Sequence, residues 1–332
     1  MALPRLNRRG FASALVVLAP VTRAAMAQPE VQRQTRLLMG TQVRLVVPGR
    51  ASELAPVLAA AWAEMQRLEA MLSRYRSDNP LAELARQAGR RPLGVPVELR
   101  ELLQQAQGVS ARTAGAFDVS VGAYSDWQFG TAQSQALPSA RRLAEQRRAV
   151  NWRAIEIDGE QVLLNRPGMK LDLGGIAKLP ILEAGLQELR RQGVRDALID
   201  GGGDVRAIGQ IDGRAWRVGL RDPLAPERLL GVVDLRDGWA ASSGDYERGF
   251  VRAGRRYHHI LDPRTGLPTE GVRGVSLLAQ DHRQVNGLGA AWMVAGGAAV
   301  AQGLPAGVAA VAVQADGRRW QNAALAARLL PA

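Results

Sequence analysis

Three short stretches hold residues whose types and spacing could do chemistry. The first is "LDLGGIAK", residues 171–178. Its pattern predicts a strand end, a glycine turn and the start of a helix. Gly174 and Gly175 carry no Cβ, so a ligand can approach the backbone closely there. Free N–H groups at a helix start favour an anion such as phosphate, and Lys178 adds a point charge in the same turn. Asp172 stands where it could accept from a ring N–H or a hydroxyl. The chain has 43 Lys and Arg residues, yet its only lysines are Lys170, just before this stretch, and Lys178, at its end. A strand–glycine–helix joint also occurs without any ligand, and Pro180 removes one N–H from the first turn. The second stretch, "LIDGGGDVR" (198–206), reads as a strand-to-strand turn with more glycine than a plain hairpin needs. The third is "RYHHILDP" (256–263), which holds two of the three histidines. Neighbours in a strand face opposite ways, so one of His258 and His259 can face a cleft and the other solvent. Asp262 follows at a proline turn. His259 with Asp262 has the make-up of a general base or a phosphate partner. A surface pair with a capping Asp is the alternative.

These residues need a scaffold, and the patterning supplies one. Residues 36–47 read as an opening strand, and 51–73 as a helix with Leu54, Leu58, Trp62, Met65 and Leu72 at helical spacing. A second helix is expected over 97–113, then an apolar, Gly-punctuated stretch (114–130) that should pack over something, then a short helix near 140–149. Strands are expected at 154–158, 161–164 and 169–173, and a helix after Gly175 that stops at Gly193. More strands, a helix near 283–297 and a strand near 307–314 complete the chain. Strands in runs with helices set apart indicate an α+β fold. With no repeat and no Pro- or Ser-rich linker, one composite domain with a cleft is expected over residues 28–332.

Composition narrows the setting. Residues 7–28, "NRRGFASALVVLAPVTRAAMAQ", have a basic start, an apolar run and small residues before Ala27. That pattern predicts an export signal, with Arg8-Arg9 and Phe11 fitting the twin-arginine type and cleavage expected after Ala27; an ordinary Sec signal or an uncleaved anchor is the alternative. A periplasmic location follows as an expectation. The chain has no cysteine, which excludes thiolate chemistry. Its net charge of +12 suits an acidic membrane, a nucleotide or an acidic partner. The arginines are scattered and not interleaved with aromatics, so nucleic acid is not an expected partner. Membrane contact is expected only through a partner.

The motifs, taken in order, resemble the FAD:protein FMN transferase family, the ApbE family. They are "MGT" (39–41), "LSRYRSDNPLAEL" (72–84), "GAFDVSVG" (115–122), "DLGGIAK" (172–178), "GGDVRAIG" (202–209), "SGDYER" (243–248) and "HILDPRTGLP" (259–268). The resemblance implies FAD in a central cleft, and transfer of FMN from FAD to a Thr or Ser of a redox protein with release of AMP. It implies FAD contacts at Met39, Tyr75, Ala116, Phe117, Asp118, Asp172, Lys178, His259 and Ile260, while His259 and Asp262 stand as the candidate catalytic groups on the residue reading above. It also implies a divalent metal, usually magnesium, on the backbone carbonyl near Gly175 and at position 286. Here the sequence departs from the family pattern. Asn286 stands where the family has Asp, Ala290 stands where it has Thr, and "LPILE" follows Lys178. An amide brings no negative charge and alanine no oxygen, so metal affinity should fall. A flavin-binding homologue with little or no transfer, acting as a carrier or redox partner, is the competing expectation. An unrelated structural or interaction protein is the third.

Overall fold

The computed structural model describes residues 30–129, 136–296 and 303–332, so the expected leader lies outside the described residues. A hairpin of β1 (Val31–Leu38) and β2 (Thr41–Pro48) leads into the long helix α1 (Ala51–Leu72). Then come α2 (Pro80–Arg86), β3 (Leu93–Gly94), α3 (Val97–Arg112) and α4 (Ala140–Arg147). Strands β4 (Ile155–Asp158) and β5 (Gln161–Leu164) join β3 in a small sheet. Helix α5 (Lys178–Arg191) precedes β6 (Ala197–Gly201) and β7 (Val205–Ile208). The ribbon β8 (Trp216–Arg221) and β9 (Leu229–Leu235) is followed by β10 (Asp237–Gly244) and the hairpin β11 (Gly249–Arg252) with β12 (Arg255–His258). The chain continues through β13 (Val272–Ala279), α6 (Leu288–Ala295), β14 (Ala309–Gln314), β15 (Arg319–Gln321) and the short α7 (Ala323–Ala326).

Eight strands form one sheet in the order β1-β2-β6-β7-β10-β13-β14-β15, each pairing antiparallel. Side chains alternate across a strand, and here both faces are buried. Leu45, Ile199, Leu277 and Ala310 point into a large core with Leu58, Trp62, Met65, Leu103, Leu182 and Leu186 from the helices. Val46, Leu278, Val311 and Val313 point the other way, onto Trp216, Val218 and Val233 of the β8–β9 ribbon. The fold is therefore α+β in one domain, with the long helices on one face of the sheet and the β8–β9 ribbon with the short α7 on the other.

Four expectations change. The strand expected over 36–47 is a hairpin, because Met39 and Gly40 both take positive φ (55° and 69°) and reverse the chain between them. Residues 169–173 pair with no strand. They pass over Gly122, where a Cβ would lie 2.6 Å from the Leu171 carbonyl carbon, and the Asp172 N–H donates to Val119 O at 2.7 Å. The helix after Gly175 begins only at Lys178, following a turn. The helix expected over 283–297 is split into a short 3₁₀ turn and α6, with Gly287 at φ 80° between them. The apolar stretch from 114 does pack over something. Tyr124 Oη donates to Pro263 O and Trp127 Nε1 to Gly266 O, at 2.9 and 2.7 Å, so the stretch clamps the loop that follows His259.

Gly122 is the tightest link between core and loop. Gly122→Ala should cost about 1–3 kcal/mol through overpacking. Gly108→Ala on α3, with nothing within 4 Å of its added Cβ, should be neutral or gain about 0.5–1 kcal/mol. Urea unfolding of the two variants checks this. Equal stabilities would mean that the loop shifts freely away from Gly122.

Candidate active site

The site starts at the end of α1. Asn79 ties the turn after that helix: its Nδ2 donates to Ala70 O and Ser73 O, and its Oδ1 accepts from the Ala82 N–H. The tied turn presents Arg74 and Tyr75. Arg74 reaches across to a segment remote in sequence and forms an ion pair with Asp172. The other Asp172 oxygen accepts from the Gly174 N–H at 2.9 Å. Burial opposes ionisation of Asp172, but Arg74 and the Gly174 donor outweigh it and hold the carboxyl below the usual range. Tyr75 stands in solvent, 78% exposed, with the Arg74 guanidinium over its ring.

Lys178, the first residue of α5, places Nζ 2.9 Å from Asp204 Oδ2. Asp204 sits in the glycine turn after β6, and its other oxygen accepts from the Ser242 N–H of β10 at 2.9 Å. Burial disfavours the lysine charge, yet Asp204 more than compensates and holds Lys178 above its usual range. The side chains of Asp172 and Lys178 are desolvated by surrounding protein but keep 29% and 27% of their surface in solvent. Groups crowded by protein yet open to water line a cleft.

His259 lies in the same cleft. It follows β12 and stays exposed, while its neighbour His258 is 2% exposed in the interior. The two histidines do face opposite ways, but the second faces the core and not solvent. There the His258 Nε2–H donates to Thr269 O at 2.9 Å, leaving Nδ1 to accept from the Ile260 N–H. Desolvation, with the charge of Arg248 adding to it, pushes His259 down to about 4. Its ring is neutral at neutral pH. Asp172 lies close enough to act on the ring electrostatically.

Asp262 is not the partner of His259. Its carboxylate accepts from Arg264 Nε, Nη2 and N–H and caps its own turn, whereas His259 Nδ1 lies 3.3 Å from Arg248 O. Asp118 is likewise engaged within the protein: it accepts from Ser120 N–H and Oγ and from the Trp152 N–H, and burial raises its pKa. That leaves Asp118 as the brace of the turn after Phe117. Phe117 and Ile260 are buried, while Met39 and Ala116 are partly open.

Arg74, Asp204 and Arg248 were not singled out from the sequence, although each lies inside a quoted motif. Arg248 Nη2 donates to Met39 O at 2.7 Å, and its own carbonyl accepts from the His259 N–H at 3.1 Å. It thus joins the β1–β2 turn to the histidine. Beside the glycine turn, a polar cavity of about 270 Å³ is lined by Thr41, Arg44, Asp200, Gly203, Arg221 and Glu247.

The fold also gathers the residues expected around a metal. A Cβ on Gly175 would lie 3.2 Å from the Phe117 ring and 4.0 Å from Ala290 Cβ. Asn286 is 2% exposed, and its Nδ2 donates to Ile176 O at 2.8 Å and lies 3.3 Å from Gln105 Oε1. The residues are adjacent but do not fit a magnesium ion. Asn286 turns N–H groups toward the Ile176 carbonyl and brings no negative charge, and position 290 offers a methyl. Among the described residues no cluster of three or more His, Asp or Glu could hold a metal.

Scaffold and site together define an α+β cleft protein whose walls pair cations with carboxylates around a neutral histidine. The chain belongs to the ApbE family, whose model matches residues 39–312. It is 34% identical over 284 residues to a FAD:protein FMN transferase of Treponema pallidum, covering 79% of this chain and 78% of that one. Its fold superimposes on the ApbE protein of Thermotoga maritima with a TM-score of 0.82 at 28% identity, over 90% of this chain and 99% of that one. For the apo flavinyl transferase ApbE of Pseudomonas stutzeri the TM-score is 0.79 at 27% identity, over 92% and 98%.

The histidines give a pH test. An unfolded His titrates near about 6.5, and His259 titrates lower in the fold. Between the two values the unfolded chain holds more protons, so stability falls as pH drops through that window. Imidazole NMR should place His259 near about 4. Arg248→Met should move it upward by removing a cation. An unchanged midpoint in that variant would show that Arg248 exerts no field on the ring.

Proposed function

We propose that this protein is an FAD:protein FMN transferase. One observation carries the reading: four charged residues and a neutral histidine from motifs scattered along the chain, Arg74, Asp172, Lys178, Arg248 and His259, come within electrostatic reach of one another around one cleft. FAD is the substrate that suits it, with its diphosphate on the cationic wall and its flavin near Tyr75, Phe117 and Ile260. The acceptor is a Thr or Ser hydroxyl of a redox protein. Its oxygen forms a bond to the flavin-side phosphorus, and the bond from that phosphorus to the bridging oxygen breaks. AMP leaves with the bridging oxygen, and the hydroxyl proton passes to neutral His259. Positioning and charge neutralisation supply most of the rate in such transfers. Asp262 contributes by holding the turn after His259. We place the protein in the periplasm, exported by a leader at residues 1–27 and working on exported or membrane-bound redox proteins.

The amide at Asn286 and the methyl at Ala290 favour a second reading, a flavin carrier that binds FAD and transfers slowly or not at all. Protein, FAD and a threonine-bearing acceptor are mixed, and the acceptor is read for flavin fluorescence on a denaturing gel. A labelled acceptor is expected; bound FAD without label selects the carrier, and no FAD binding overturns both.

Lys178 gives a sharper test. Lys178→Met should weaken FAD by about 1.5–3 kcal/mol, the scale of a hydrogen bond to a charged group. It also strands Asp204, so stability should fall. Lys178→Met with Asp204→Asn should recover stability but not affinity. Full FAD affinity in the double variant would return Lys178 to a purely structural role.

A further inference from the structure

We infer that the Asn286 amide takes the structural place of a divalent cation, and that this cleft binds the diphosphate of FAD without metal, using Arg248. The inference rests on the flavin reading proposed above. Asn286 joins three elements. It stands just before α6, its Nδ2 donates to Ile176 O of the glycine loop, and the same nitrogen faces Gln105 Oε1 of α3. A backbone carbonyl only accepts, so the amide must turn its NH₂ group toward Ile176. That fixes which end of the side chain points at the loop. A cation set against this carbonyl would meet the amide hydrogens, where a carboxylate would have offered an anionic oxygen. A second buried donor, Gln105 Nε2, has no partner. Ala290 closes the remaining side with a methyl near Gly175. Two amide NH₂ groups and a methyl thus line the pocket, and its oxygens, those of Ile176, Gln105 and Asn286, are all neutral, a poor set for a hard cation.

The diphosphate still needs positive charge. Lys178 and Arg74 are each paired with a carboxylate. Arg248 is held by the Met39 carbonyl, and among the described residues no carboxylate pairs with it. Its charge acts on both Lys178 and His259. Of Arg74, Lys178 and Arg248, the last is therefore the one with charge to give.

The experiment uses the full protein stripped with chelator. FAD is titrated by flavin fluorescence in EDTA and in excess magnesium, and Mn²⁺ binding is followed by EPR. We expect FAD affinities equal within about twofold in the two buffers, and no bound Mn²⁺ without flavin. Arg248→Met should lose about tenfold or more in FAD affinity in both buffers, the scale of one charged hydrogen bond. Asn286→Asp should gain Mn²⁺ binding and a melting temperature that rises with magnesium. Magnesium tightening FAD about tenfold in the parent, bound Mn²⁺ in the parent, or unchanged affinity in Arg248→Met would each overturn the inference. No FAD binding in either buffer would instead overturn the flavin reading on which it stands.

Discussion

A carboxylate crowded by protein stays ionised only if something replaces its lost hydration, and the Asp172 pair meets that condition. Arg74 supplies the charge and Gly174 the directed N–H. Neither partner is placed by accident. Arg74 comes from the turn that ends α1, held by three hydrogen bonds of Asn79. Its reach to Asp172 depends on α1 lying tightly on α5, where a Cβ at Gly185 would meet Met65 at 2.7 Å. Helix packing in the core thereby sets the distance between two charges in the cleft.

The loop between the two lysines carries the second constraint. A segment without sheet or helix partners must still satisfy its backbone polar groups. Residues 171–177 do so locally. Asp172 donates to Val119 O, Ile176 and Ala177 donate to Leu173 O, and the Ile176 carbonyl accepts from Asn286. The bonds to Leu173 O close the turn within the loop, and those with Val119 and Asn286 fasten it to two other segments, so it can stay open to solvent at Gly174 and Gly175 without being loose. Arg248 does the same on the opposite wall, fastening the β1–β2 turn to His259. The cleft is framed by bonds between elements remote in sequence.

That remoteness explains what the sequence could and could not reveal. Helices α1 and α3 were legible because one apolar stripe at helical spacing has one good packing solution. The central strands were legible as apolar runs, although both of their faces are covered. The hairpin at Met39 was not, since a non-glycine residue at positive φ leaves no signal in a run of apolar residues. Lys178 and His259 were visible as rare residue types in glycine- and proline-punctuated loops. Asp204 and Arg248 were not, because nothing in their own stretches shows that Asp204 meets Lys178 or that Arg248 meets Met39. Asp262 misled for the same reason: spacing from His259 said nothing about Arg264, which takes both of its oxygens.

The pairing of Asn286 with Ala290 has its own physical logic. A carboxylate at 286 would bring an anionic oxygen against the Ile176 carbonyl in a pocket that is 2% exposed at that side chain. Two oxygens facing each other out of water repel, and a cation between them is the remedy a metal site provides. Once position 290 offers a methyl, one oxygen ligand of such a cation is gone and the remedy weakens. An amide at 286 removes the need for it. The repulsion becomes an N–H···O hydrogen bond of 2.8 Å, and the loop keeps its anchor to α6. On the inference drawn above, Asn286 and Ala290 act together: a side chain fastens the glycine loop where an ion would otherwise be needed, and the charge offered to a diphosphate rests on Arg248, Lys178 and Arg74.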